Sequence, residues 1–260
     1  MRLKRITRSE IAFYQFERWQ GLAHGIFTRN GGVSSEPWAS LNLGGNVGDR
    51  PEAVRENHER MYAAAGVNGA RACTVWQVHG VDTLIVTGPV RGRRWLAQAD
   101  AMVTDQPDTP LTMRFADCTP VLFYDPVKGV IGMAHAGWRG TVNGIAARVV
   151  GVMQRAFGCR PADIQAAIGP SIGPDRYQVG EEVVDAVMRY FGTTDGLIRR
   201  DPRDGTAYLN LWEANRRDLE RAGVEDIEVA GLCTATRTDE FFSHRAEKGR
   251  TGRFGAVLSL

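Results

Sequence analysis

Short apolar runs at strand period alternate along the chain with longer stretches at helical period. Residues 11–16 and 22–28 are apolar and β-prone, and they predict two strands. A turn-rich stretch runs from Asn30-Gly31-Gly32 to Asp49-Arg50-Pro51, where Asp and Pro open a predicted helix over 51–65 that Gly66 closes. Residues 71–79 alternate, which predicts a strand with Cys73, Val75, Gln77 and His79 on one face. Further short strands are predicted over 81–87, 101–104, 111–115, 121–124 and 130–135. Val142, Ile145, Ala146, Val149, Met153 and Phe157 fall on one stripe, predicting a helix over 140–157. A strand at 164–168, helices at 181–190 and about 211–222, and strands at 227–232 and 254–258 complete the pattern.

Helices and strands are interleaved, yet several strands follow one another at hairpin spacing. The fold class expected is α+β, with mixed rather than purely parallel sheets flanked by helices. No repeat, low-complexity tract or linker interrupts residues 1–260, so a single domain is expected. With 260 residues, 43% of them hydrophobic, the chain can bury a core without disulfide staples.

Charge narrows the partners. Lys and Arg number 32 against 30 Asp and Glu, a net of +2, which offers neither nucleic acid nor a membrane surface a basic face. Arg91, Arg93 and Arg94 form a local cluster and read as a solvated loop. The charged N-terminus leads into no apolar segment of secretory type, and no apolar run approaches the roughly 18 to 20 residues of a membrane span. The 4 cysteines, Cys73, Cys118, Cys159 and Cys233, are widely spaced. Reduced thiols and a cytoplasmic location are expected. A compact chain of this size is expected to act as a monomer or homodimer.

Among the 5 histidines, two stand at predicted strand ends. His79 lies in Trp-Gln-Val-His-Gly at 76–80, and His135 opens His-Ala-Gly-Trp-Arg-Gly at 135–140. Cys118 lies in Ala-Asp-Cys-Thr-Pro at 116–120, a break between two predicted strands. Side chains at such places leave a rigid sheet for a loop, where functional groups are commonly held. Two imidazoles and a thiolate form an accepted catalytic zinc set that leaves a fourth position open. Their spacing alone does not bring them together: each His also reads as a satisfied core residue, and Cys118 as a small hydrophobe.

Several further stretches accompany these residues. They are Gly-Ile-Phe-Thr-Arg-Asn-Gly-Gly-Val-Ser at 25–34, Ser-Leu-Asn-Leu-Gly at 40–44, Gln-Val-His-Gly at 77–80 and Ala-Asp-Ala-Met-Val-Thr at 99–104. Others are Ala-Asp-Cys-Thr-Pro-Val at 116–121, Ile-Gly-Pro at 168–170, Tyr-Gln-Val-Gly at 177–180, Phe-Phe-Ser at 241–243 and Thr-Gly-Arg at 251–253. With the 135–140 element they span almost the whole chain, which resembles the multi-copper polyphenol oxidoreductase (laccase-like) family, also classed with purine nucleoside phosphorylases and a peptidoglycan-editing factor. The resemblance implies a cysteine-hydrolase-like α/β sandwich and zinc ligands at His79, Cys118 and His135, with copper the lesser fit. It implies a purine-nucleoside pocket beside the metal, with Asn42 among its polar contacts and Arg139 as an oxyanion or phosphate contact. A helix beginning near Gly140 would add its N-terminal dipole to Arg139. Arg29 is a further candidate for neutralising phosphate.

The chain departs from the family pattern at His58, which follows Asn57 where Arg is common, and substitutes a titratable imidazole at a candidate substrate contact. Ser171 and His244 are departures outside the metal set. Gln77, Asp82 and Asp117 are the candidates for orienting the histidines. The resemblance implies phosphorolysis of adenosine, inosine or methylthioadenosine, together with deamination of adenosine. The competing enzyme class is a cysteine hydrolase or amidase with Cys118 as nucleophile and His135 or His79 as base, which suits peptidoglycan editing. Phenol oxidation is a poor third: blue and trinuclear copper centres need about ten imidazoles between them, more than this chain has. A metal-binding module without turnover is the non-enzymatic alternative.

Overall fold

The computed structural model describes residues 3–19, 21–89 and 95–260. The arginine cluster at 91–94 lies outside them. Five strands run in the order Leu3–Arg8, Ile11–Phe16, Ala23–Phe27, Phe254–Ser259, Leu111–Phe115, each pair antiparallel. Six more run in the order Asp226–Val229, Gln165–Ile168, Thr119–Asp125, Val130–Ala136, Ala101–Thr104, Thr83–Ile85. The inner pairs of this second sheet are antiparallel and the two outermost pairs parallel. The sheets are mixed, as the interleaved pattern predicts.

The strand period explains how the layers stack. Val130–Ala136 is buried along its whole length because both its faces are covered. Ile131 and Met133 point inward with Leu122 and Met102 to meet Met113, Phe115, Phe254 and Leu258 of the other sheet. Val130, Ala134 and Ala136 point outward against Ile145, Val149 and Met153 of the helix Ile145–Phe157. On the far side of the five-stranded sheet, Phe13, Phe27 and Val257 pack on Met61 and Tyr62 of the helix Pro51–Ala65. The result is four layers, helix–sheet–sheet–helix. Each large apolar side chain fully buried in them contributes roughly 1.5–3 kcal/mol. The helices Glu181–Phe191 and Leu211–Arg221, with the small sheet of Gln178–Val179, Ala207–Leu209 and Ile198–Arg200, build a satellite cluster at one side.

Four differences from the sequence pattern stand out. The strand expected over 71–79 is only Thr74–Trp76, preceded by a 3-10 turn at Gly69–Arg71, so His79 does not share its face. The helix expected over 140–157 is broken into Trp138–Thr141 and Ile145–Phe157. Gly144 between them has φ +74°, and a Cβ there would clash with the Tyr190 hydroxyl. Leu3–Arg8 escapes the apolar pattern because it is a charged edge strand with mostly exposed side chains. Its hairpin turn uses Ser9 and Glu10 at positive φ, where a glycine would be the usual signal. The fourth is Trp95–Gln98, which pairs in parallel with Thr74–Trp76 as a small separate sheet.

Candidate metal centre

Strand register, rather than sequence proximity, assembles the site. His135 is the last inward-facing residue of Val130–Ala136, continuing the side of Ile131 and Met133. On one flank it pairs with Pro120, which places it two residues from Cys118. On the other flank its backbone N–H donates to the Asp100 carbonyl at 2.8 Å. Its ring packs on Phe115, with centroids 5.5 Å apart, and the residue is only 4% exposed.

Cys118 lies where the chain leaves Leu111–Phe115 in one sheet to enter Thr119–Asp125 in the other. This crossover is forced through Asp117 at φ +82°, a conformation unfavourable for a residue with a side chain. The Asp117 carboxylate holds it: one oxygen accepts from the Thr234 and Ser243 hydroxyls, each at 2.7 Å, and the other from the Arg245 backbone N–H at 2.6 Å. Asp117 therefore fixes the Cys118 loop and orients neither histidine.

His79 sits in a tight turn at φ +61°. Asp100 stabilises this turn by accepting the backbone N–H groups of Val78, His79 and Gly80 at 3.0, 3.0 and 2.7 Å. The same carboxylate accepts from Nδ1 of His135 at 2.8 Å. Asp100 is fully buried, and burial by itself disfavours its charge, but His135 and the turn amides bring its pKa below the ordinary value. Of the three orienting candidates read from sequence, none fills this role. Gln77 ties its loop to the edge of a sheet by bonding the Arg114 N–H and carbonyl at 3.0 and 2.7 Å, and Asp82 meets Asp100 through its backbone carbonyl.

The ligand atoms of His79, Cys118 and His135 all lie within 4.8 Å of one another, and the two imidazole centroids are 5.0 Å apart. Among the described residues no other group of histidine, cysteine or carboxylate side chains converges in this way. A zinc ion with bonds of about 2.0–2.3 Å needs ligand atoms about 3.3–3.8 Å apart, a small contraction. Gly137 keeps that space clear, because a Cβ there would lie 2.9 Å from Cys118 Sγ and 3.5 Å from the His79 ring. With Nδ1 turned to Asp100, His135 presents Nε2 to the centre. Burial opposes a charged thiolate, yet His135 and His79 lower Cys118 to about 6. The residues fit a single cation. His24, whose Nε2 accepts from the Phe16 backbone at 2.9 Å, His58 and His244 stand apart from the set, so no multinuclear copper cluster can be built around it.

A cleft of about 930 Å³ opens onto the three ligands. His58, Arg139 and His244 line it. Arg139 is exposed and stacked on Trp138 at 4.6 Å. The helix carrying it is one turn long, and the amide of Ala147 in the longer helix is already taken by Asp218 at 3.0 Å, so the expected dipole does not reinforce Arg139. Asn42 and Arg29 are absent from the cleft wall. Asn42 is fully buried, accepting from the Gly44 and Arg253 N–H groups at 2.9 Å each. Arg29 bonds Thr238, Ala39 and Glu247 and lies over Phe242, a packed ion pair. Sequence reasoning missed Asp100, Arg114 and Arg253. The signal for the first two was a charged residue within, or immediately before, an otherwise buried apolar strand, which requires a specific partner or purpose.

The sequence profile of the multi-copper polyphenol oxidoreductase laccase family matches residues 23–260. A purine nucleoside phosphorylase of Deinococcus radiodurans is 43% identical over 237 residues, covering 91% of this chain and 88% of that protein. The purine nucleoside phosphorylase YfiH of Escherichia coli is 37% identical over 256 residues, covering 97% and 99%. The crystal structure of YlmD from Geobacillus stearothermophilus superposes with a TM-score of 0.92 at 36% identity, covering 99% of this chain and 98% of that one. Profile, end-to-end identity and superposition agree, and the chain belongs to the multi-copper polyphenol oxidoreductase laccase family.

Proposed function

We propose that this protein is a zinc-dependent purine nucleoside phosphorylase, acting on adenosine, inosine and methylthioadenosine, that also deaminates adenosine. The observation that carries the reading is the meeting of His79, Cys118 and His135 at the end of a cleft large enough for a nucleoside. Zinc held there would supply Lewis acidity and one open coordination position. In phosphorolysis a phosphate oxygen forms a bond to C1′ of the ribose while the bond from C1′ to the purine nitrogen breaks. The base leaves with a proton, and ribose 1-phosphate is the second product. In deamination water adds at C6 and ammonia leaves.

The chain's own residues prepare these steps. Asp100 holds the His135 imidazole by Nδ1 and the backbone turn that carries His79 by its amides, before any ligand arrives. Trp76 and Trp95, with centroids 4.2 Å apart and both partly exposed at the cleft, offer ring surface to a purine. In this reading the protein works as a single-domain monomer or homodimer in a reducing, cytoplasmic setting, which suits its four free cysteines. No helix among the described residues is long and apolar enough to cross a membrane.

The test is direct. Pure metal-replete protein is incubated with adenosine and phosphate, with and without chelator, and adenine and inosine are measured. Neither product from the metal-replete protein rejects the reading. One observation favours a second: Cys118, His135 and Asp100 are arranged as nucleophile, base and orienting carboxylate, the pattern of a cysteine hydrolase or amidase. That reading requires Cys118 to be a free nucleophile rather than a ligand.

A further inference from the structure

The cleft is strongly one-signed. Arg55, Arg114, Arg139, Arg245 and Arg253 line it, against Glu59 and Asp117. The Asp117 carboxylate is engaged with Thr234, Ser243 and the Arg245 backbone. Arg55 and Glu59 lie one helical turn apart on the helix Pro51–Ala65. Arg139 and Arg245 are exposed and stacked on Trp138 and Tyr177, where water weakens their pull on an anion.

Arg114 and Arg253 differ from these. Arg114 is paired with Gly255 across the sheet, Arg253 stands two residues before Gly255 at the entry to that strand, and both side chains line the cleft. Gly255 between them has no room for a side chain, since a Cβ would lie 2.8 Å from Met61 Sδ. Neither arginine pairs with a carboxylate among the described residues. Arg114 is held by the Thr74 hydroxyl at 3.0 Å, the Val75 carbonyl at 2.8 Å and Gln77 Oε1 at 3.2 Å. Arg253 bonds the Thr251 and Gly252 carbonyls through Nη1, at 3.1 and 2.8 Å, and among the described residues Nε and Nη2 meet no acceptor. Burial pushes Arg114 down to about 10 and lowers Arg253 as well, the latter against the pull of the nearby Cys118 and Asp117, the mark of cations sheltered from water. Asn42 and Leu43 clasp the Arg253 backbone, Asn42 Oδ1 accepting its N–H and the Leu43 N–H donating to its carbonyl, each at 2.9 Å. Asn42 is thus a positioning residue for Arg253.

We propose that Arg114 and Arg253 form a preorganised anion subsite in the cleft that takes inorganic phosphate, the co-substrate of phosphorolysis. The subsite stands on geometry, and the identification of its anion as a co-substrate rests on the phosphorylase reading. A phosphate there meets donors whose directions are already set, and its charge compensates two cations at once.

The experiment titrates inorganic phosphate calorimetrically into zinc-loaded full-length wild type, Arg253→Gln, Arg253→Lys and Arg139→Gln. Expected is a loss of about tenfold to a hundredfold in phosphate affinity for Arg253→Gln, the scale of a lost hydrogen bond to a charged group. Arg253→Lys should recover part of that loss, and Arg139→Gln should bind within about threefold of wild type, as an exposed cation would. A parallel measurement in wild type needs no variant to fold: phosphate should slow phenylglyoxal modification of Arg253 and leave Arg139 unprotected, as read by peptide mass mapping. Unchanged binding by Arg253→Gln, protection at Arg139 instead, or no phosphate binding by wild type overturns the subsite. If wild type releases base from adenosine while Arg253→Gln keeps its phosphate KM, the subsite falls and the phosphorylase reading stands. If phosphate protects Arg253 but no base is ever released, the reading falls and the subsite stands.

Discussion

Asp100 and His135 meet twice: the His135 backbone N–H donates to the Asp100 carbonyl at 2.8 Å, and the His135 Nδ1 lies 2.8 Å from the Asp100 carboxylate. Because that carboxylate also receives three amides of the His79 turn, one buried residue orients the His135 imidazole and holds the backbone that carries His79. Asp100→Asn removes the charge while nearly keeping the shape. It should weaken zinc binding about 10–100-fold, as loss of a partner behind a ligating histidine commonly does. Competition with a chromophoric chelator reads this out. Wild-type affinity in the variant would confine Asp100 to a structural role.

Gly137→Ala tests the space around the thiolate. The backbone at Gly137, φ −72°, accepts alanine, so the effect comes from the new methyl group 2.9 Å from Cys118 Sγ. Metal content after dialysis should fall well below that of wild type, while the melting temperature of the metal-free protein moves little. Full metal occupancy in Gly137→Ala would show that the ligand atoms do not close around a shared ion.

Cys118 separates the two enzyme classes. As a zinc ligand it should resist iodoacetamide in metal-loaded protein and react once the metal is stripped, since the neighbouring imidazoles favour its thiolate. Cys118→Ala should lose both metal and turnover. Fast stoichiometric alkylation in the zinc-loaded state would instead assign Cys118 the part of a free nucleophile.

Glu240 predicts a pH dependence of stability away from the centre. It is buried, which by itself raises a carboxyl pKa, but the Tyr14 hydroxyl at 2.5 Å, Arg5 at 2.7 Å and Arg237 at 2.7 Å bring it below the ordinary value. A depressed carboxyl stabilises the fold above its unfolded pKa of about 4.3 and loses that contribution as pH falls through its lower folded value. Glu240→Gln should therefore cost about 1.5–3 kcal/mol at pH 7, the worth of hydrogen bonds to a charge. The gap from wild type should narrow as urea unfolding is repeated at pH values below about 4. A constant gap across that range would contradict the assignment.

The Trp76–Trp95 pair should report nucleoside binding. Adenosine should quench tryptophan fluorescence, and Trp95→Ala should raise the nucleoside KM about two- to tenfold, the worth of one aromatic contact. Phosphate KM should stay near its wild-type value. Unaltered nucleoside KM in Trp95→Ala would remove the base from this wall.

The sequence reading succeeds where structure is local. Pro51 and Gly66 bound a helix that runs Pro51–Ala65, with Gly66 in the left-handed conformation at φ +75°. The apolar runs at 101–104 and 111–115 coincide with the strands Ala101–Thr104 and Leu111–Phe115, because both faces of each are covered and period 2 gives way to continuous burial. The reading fails where conformation is imposed from a distance. His79 leaves its expected strand because Asp100, 21 residues away, holds its turn. The 140–157 stripe breaks at Gly144 because Tyr190 occupies the space a side chain would need. Asn42 looks like a substrate contact from its motif, yet its oxygen is spent on Gly44 and Arg253.

By itself the sequence determined the alternation of strands and helices, the near balance of overall charge and the residue types able to hold a soft cation, since these follow from periods, charges and donor atoms carried by each residue. Tertiary structure alone decided that His79, Cys118 and His135 share one point, that Asp100 stands behind them and that Arg114 and Arg253 flank the same cleft. The reason is physical: these meetings depend on strand register and on which sheet the chain enters after Asp117, quantities set by packing between segments distant along the polypeptide.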